Sequence, residues 1–166
     1  MEKIIEKILR KYVETLKNRF GNRLISVSVF GSVARGDAKF PESDFDIFIV
    51  LEGIEKLSVG KRIDMVADIY FTLKQSTEFI AFKSKYGSPM FQEHVFTPEE
   101  IKHHPPIMLD LTTDALILYD RGILKKEIEK LKNRLNELGS QKRVLPDGRW
   151  YWVLKPDLKW GEVVEI

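Results

Sequence analysis

The sequence predicts an α/β (α+β) domain built on a small sheet with flanking helices. Three observations predict it. Some segments repeat apolar residues at helical spacing, others alternate them at strand spacing, and the two kinds take turns along the chain. Of the 166 residues, 43% are hydrophobic and 31% charged, which is enough for one core and too apolar for disorder. No repeat, low-complexity tract or obvious linker divides the chain.

Ile4, Ile5, Ile8, Leu9, Tyr12, Val13, Leu16 and Phe20 form one stripe, which predicts a first helix closed by Gly21. In Leu24 to Phe30, Ile25, Val27 and Val29 alternate with Ser26 and Ser28, the pattern of a strand. Gly31-Ser32 breaks it, and a stretch punctuated by Gly, Asp and Pro runs to Ser43. A second strand is predicted from about Phe45 to Leu51, apolar on both faces after Asp46 and therefore interior. From about Lys56 to Lys85, Ile63, Val66, Ile69, Leu73 and Ile80 predict a helix ended by Gly87-Ser88-Pro89. Met90 to Phe96 predicts a third strand. Thr97-Pro98-Glu99-Glu100 opens a short helix that Pro105-Pro106 stops. Met108 to Leu118 predicts a further helix. Leu124, Ile128, Leu131, Leu135 and Leu138 mark an amphipathic helix packed on the sheet and closed by Gly139. From about Gln141 the chain turns aromatic and basic, with Arg149-Trp150-Tyr151-Trp152 and Trp160. These rings are expected to clad the flank of the domain, with stacking on a nucleobase or RNA end as the alternative.

Composition excludes several functions. Lys+Arg is 27 and Asp+Glu is 25, a net charge of +2, which is not the field of a polybasic nucleic-acid coat protein. Absence of cysteine excludes disulfides, zinc-thiolate sites and thiol nucleophiles. No apolar run approaches the roughly 20 residues that span a bilayer. The charged start, Met1-Glu2-Lys3-Ile4-Ile5-Glu6, lacks the apolar region of a signal peptide. The expectation is a cytoplasmic protein with no membrane partner.

The informative stretch runs from Gly31 to Asp46, between the first two strands. Asp44 and Asp46 are two apart on an extended segment, so both carboxylates point to one face. Like charges that close repel, and a divalent cation relieves them. Hard oxygen donors select Mg²⁺ or Mn²⁺. Gly31 lets the backbone approach a ligand, and Ser32 adds an N–H and a hydroxyl. Arg35 can meet a phosphate or pair with a carboxylate. A metal-bound nucleoside triphosphate suits both halves. Gly31 and Gly36 have P-loop spacing, but Asp37-Ala38 stands where that loop needs Lys-Ser/Thr, which rejects a Walker-type NTPase.

Gly31-Ser32-x-x-Arg35-Gly36 followed by Ser43-Asp44-x-Asp46 resembles the signature of the polymerase-β-type nucleotidyltransferase superfamily, in particular its small prokaryotic minimal nucleotidyltransferases. The resemblance implies a small mixed sheet of the nucleotidyltransferase fold. It implies a catalytic domain over residues 1–120, with residues 121–166 forming a C-terminal helix and tail packed on that same domain. It implies transfer of a nucleoside monophosphate from an NTP, with ATP the expected donor, to a hydroxyl on protein, small molecule or RNA. Gly31, Ser32, Arg35 and Ser43 would bind the nucleotide, and Asp44 and Asp46 would be catalytic metal ligands. Family members carry a third carboxylate on a later strand. Glu93 is the only acid of the third predicted strand and is expected to be that catalytic metal ligand, with Asp64 and Asp68 as rivals on a helix. Small members are often antitoxins, which makes a helical toxin-like protein a candidate partner. A non-catalytic nucleotide-binding module of the same fold is the alternative.

Overall fold

The computed structural model describes residues 2–166. Helix α1 spans Lys3–Phe20 and buries the predicted stripe, including Ile8, Tyr12 and Leu16. A 3₁₀ turn over Gly21–Arg23 leads into β1, Leu24–Phe30. The short helix α2, Gly31–Arg35, follows at once. A loop returns the chain into β2, Phe45–Leu51. Helices α3, Val59–Leu73, and α4, Thr77–Tyr86, precede β3, Phe91–Phe96. The one-turn helix α5, Pro98–Ile101, carries the predicted capping box between Thr97 and Glu100. Then come α6, Met108–Asp114, β4, Leu116–Asp120, and α7, Ile123–Glu137. The chain closes with a hairpin of β5, Gln141–Val144, and β6, Trp150–Val153.

The main sheet has the order β3-β2-β1-β4. β1 runs antiparallel to both β2 and β4, whereas β2 and β3 are parallel, so the sheet is mixed as expected. Its two faces bury separate apolar clusters. On one face Val27, Val29, Phe45, Ile47 and Ile49 meet α1, α3 and α4. On the other Ile25, Phe30, Phe48 and Val50 meet α6 and α7. Strands covered on both faces read as continuous apolar runs, and β2 is that kind of strand.

Three expectations change. The helix predicted from about Lys56 to Lys85 is two helices, because Ser76 caps a fresh start by accepting a hydrogen bond from the Phe79 N–H at 3.1 Å. The helix predicted from Met108 to Leu118 stops at Asp114, and Ala115 turns extended with ψ 128°. Leu116 to Asp120 pairs with β1 instead, so tertiary pairing overrides a locally ambiguous apolar run. The tail, whose rings were expected to clad the flank, forms a hairpin that leaves Trp150 and Tyr151 44% and 45% exposed. Trp152 alone of the hairpin's aromatic rings packs against the second cluster.

Candidate functional site

The site forms where β1 ends and β2 begins. Antiparallel register sets Phe30 opposite Asp46, so Asp46 stands beside the turn that opens α2. Gly31 adopts φ +67° there. A Cβ at Gly31 would collide with Asp46 Oδ2, so the carboxylate would have to move. Glycine is therefore required twice, for its backbone angle and for the approach of the carboxylate. Gly36, with φ +81°, ends α2 by returning its N–H to the Ser32 and Val33 carbonyls.

Asp44 lies one residue before β2. Its Oδ2 accepts a hydrogen bond from Gln92 Nε2 at 2.6 Å. Asp46 is half-buried, and its pKa is raised from the ordinary aspartate value. Burial is the main cause, and the Asp44 charge adds to it. Asp110 on α6 pushes the same way, while Arg35 opposes. The Asp44 charge therefore acts on Asp46.

This donor set fits a hard divalent cation. Mg²⁺ is commonly held by one or two carboxylates and completes its shell with water and substrate phosphates. Among the described residues, no group of three or more His, Cys, Asp or Glu side chains could enclose a metal. The pair thus suits an ion shared with a nucleotide, with protein supplying only part of the shell.

Glu93 does not join them, which corrects its expected role as third ligand. In the parallel pairing of β2 with β3, Ile47 sits opposite Glu93 and Asp46 opposite Gln92. Paired residues share a face and side chains alternate, so Glu93 points to the face opposite Asp46. There it accepts a hydrogen bond from the buried Tyr12 hydroxyl at 3.1 Å. Burial pushes its pKa up, and that hydrogen bond partly offsets the push. The β3 residues on the Asp46 face are Gln92, His94 and Phe96. His94 stacks at a tilt near Phe30, 5.7 Å between ring centres, and burial pushes its pKa down. The rivals lie away on α3, where Asp68 pairs at 3.7 Å with Arg19.

The remaining predicted residues have structural partners. Arg35 pairs with Asp37 at 3.2 Å and with Asp114 at 3.0 Å, the carboxylate option of its two. The Ser43 hydroxyl accepts from the Lys39 N–H at 2.8 Å, while the Ser43 N–H donates to the Lys39 carbonyl at 2.9 Å. Ser43 thereby closes the loop that delivers Asp44. Ser32 stands at the second position of α2, half-buried.

Sequence reasoning missed the wall opposite this turn. Asp110 and Asp114 lie one helical turn apart on α6, and Trp150 reaches Asp110 from the hairpin. The i, i+4 spacing of the two acids was readable. So was Pro146-Asp147-Gly148, a turn signal between two apolar stretches. Where the hairpin would dock was not.

Residues 9–140 match the model of the nucleotidyltransferase domain family. A protein of Methanocaldococcus jannaschii named "putative protein adenylyltransferase" is 32% identical over 137 residues, covering 79% of this chain and 83% of that one. A second protein of the same organism and name is 44% identical over 45 residues, 27% of this chain and 44% of the relative. The fold also resembles a spectinomycin adenyltransferase of Enterococcus faecialis, solved with ATP and spectinomycin. That likeness has a TM-score of 0.52 at 14% identity, over 80% of this chain and 66% of that one. With Gly31 set against Asp46, and a family model matching most of its length, this chain belongs to the nucleotidyltransferase domain family.

Proposed function

We propose that the chain transfers adenylate from ATP to a hydroxyl of a protein acceptor, with Mg²⁺ held between Asp44 and Asp46. The observation that carries this reading is the seating of Asp46 Oδ2 against Gly31, with Asp44 close enough to raise its pKa. A turn that can take phosphates and a carboxylate pair that wants a cation then share one edge. The choice of ATP and of a protein acceptor follows the names of the two relatives.

The reaction makes a bond from the acceptor oxygen to the α-phosphorus and breaks the bond from that phosphorus to the α,β-bridging oxygen. Pyrophosphate leaves and the acceptor's proton passes to solvent. Backbone at Gly31 and the amide and hydroxyl of Ser32 hold the departing phosphates. Asp44 is oriented for its part by Gln92, and Asp46 by its fit against the turn. Ser43 holds the loop that brings the pair together. When bound, the cation neutralises the triphosphate and stabilises the leaving group. Positioning and electrostatics supply the rest.

One observation favours a second reading. The third carboxylate is turned away, toward Tyr12. A site with only two converging acids could bind nucleotide and turn it over weakly or not at all. Incubation with α-labelled ATP, Mg²⁺ and candidate proteins separates the two. Label transfer with pyrophosphate release supports the transferase. Mg²⁺-dependent ATP binding without either supports the binding module. Loss of both ATP and Mg²⁺ binding overturns both readings.

A further inference from the structure

The hairpin brings an indole ring to the rim of the site. In it Lys142 lies opposite Trp152 and Val144 opposite Trp150, so these four side chains share one face. That face meets α6. Lys142 Nζ donates to Thr113 Oγ1 at 3.0 Å and stands 3.5 Å from Asp114 Oδ2. Trp150 donates its Nε1–H to Asp110 Oδ1 at 2.9 Å. Its ring centre lies 5.0 Å from Lys142 Nζ and 5.9 Å from the Arg35 guanidinium carbon. Arg35 is the last residue of α2, the helix that Gly31 and Ser32 open, and it grips Asp114 on α6. One set of contacts therefore ties the phosphate turn, α6 and the indole together.

The ring is fixed but not covered. Trp152 supplies the apolar packing of the hairpin, whereas Trp150 remains 44% exposed. A tryptophan restrained at its nitrogen, with Lys142 and Arg35 over its ring and 44% of the residue still exposed, offers its open part to a planar ring. Base–aromatic stacking is the interaction such a surface serves, and the cations beside it suit a ring that arrives on a polyphosphate. We propose that Trp150 is the stacking platform for the base of the bound nucleotide, and that Asp110 is the positioning residue that orients it. The inference rests on the nucleotidyltransferase reading above, since it places the base relative to phosphates held at Gly31 and Ser32.

Calorimetry with Mg²⁺ tests it, using ATP and inorganic tripolyphosphate as two probes. Stacking on an aromatic ring is worth about 5- to 150-fold in affinity. Trp150→Leu keeps apolar bulk in the hairpin and should weaken ATP binding within that range, leaving tripolyphosphate binding unchanged. Trp150→Phe should restore most of the loss. Asp110→Asn removes a charge that acts on Asp46 and so on both probes, but it should lower ATP affinity relative to tripolyphosphate affinity, by less than Trp150→Leu does. Wild-type ATP affinity in Trp150→Leu overturns the proposal, and so does an equal loss for both probes. If the wild-type protein binds neither probe, the nucleotide reading itself fails. That result is distinct from failure of the Trp150 assignment alone.

Discussion

Asp46 on β2 and Glu93 on β3 are half-buried carboxylates in one sheet, and burial pushes both pKa values up. Their surroundings differ. Asp46 faces a second carboxylate and a turn with no room for a side chain. Glu93 faces a tyrosine hydroxyl that satisfies it. One acid is left with a repulsion that a cation can relieve, and the other is satisfied by Tyr12 of α1. A register difference of one residue separates them, Gln92 lying opposite Asp46 and Glu93 opposite Ile47. Side-chain parity in a parallel pair, and not residue type, decides which acid is available for chemistry.

The sharpest way to break this comparison is to neutralise each acid in turn. Asp46→Asn is expected to cut transfer by on the order of a thousandfold, beyond the 10–100-fold typical of a group that only supports a metal ligand. Its fold should survive, as far-ultraviolet circular dichroism will show. Glu93→Gln should stay within about threefold of wild type, because Gln keeps an acceptor for Tyr12 and touches nothing at the site. A collapse of activity in Glu93→Gln, with the fold intact, would mean that this face takes part after all. Next in size is Gly31→Ala. Left-handed backbone costs a non-glycine residue about 1–2 kcal/mol, and the new methyl would have to push Asp46 aside. The expected outcome is a loss of transfer on the order of a hundredfold, with a destabilisation of about 1–2 kcal/mol in urea melts.

What the sequence made legible follows the range of the interactions involved. α1, β1 and β2 were readable because burial imposes its period directly on the residues, as the Ile8, Tyr12 and Leu16 stripe shows. The glycine-serine turn and Asp44-x-Asp46 were readable because the whole device lies within sixteen consecutive residues, 31–46. β4 was not, since Leu116 to Asp120 is a strand only by virtue of its pairing with β1. Glu93 was misplaced because its face depends on the β2–β3 register, which no local pattern encodes. Trp150 reaches Asp110 across 40 positions of sequence, a contact created only when the hairpin docks on α6. The tail's composition marked it as unusual, but its partner lay in tertiary structure.

Proton competition sharpens the comparison further. The folded Asp46 carboxyl holds its proton more tightly than an ordinary carboxylate, because of burial and then Asp44. A cation must displace that proton. Mg²⁺-dependent ATP binding should therefore fall about tenfold per pH unit once pH drops below the raised Asp46 value. Calorimetry from pH 7 downward reads this directly. A flat profile through the ordinary carboxylate range would show that Asp46 does not bind the ion.

The smallest effect is on stability, and here the two acids should behave alike. A carboxyl whose pKa is higher folded than unfolded favours the fold in its protonated form. That stability is fully present below the unfolded value, near 4.3 for a glutamate, and is lost as pH rises through the folded value. At pH 7 the Glu93 charge is therefore a net cost to the fold. Glu93→Gln cannot ionise, yet it still accepts from Tyr12. It should melt above wild type at pH 7, and the difference should shrink toward zero below about pH 4. Asp46→Asn should shift the melting temperature in the same direction for the same reason, while it loses most of its transfer. Two variants that move stability together and activity apart would show that the cost of Asp46 serves the reaction and that of Glu93 does not. Should Glu93→Gln melt below wild type at pH 7, the fold would be using that charge, and the two carboxylates would differ in stability as well as in function.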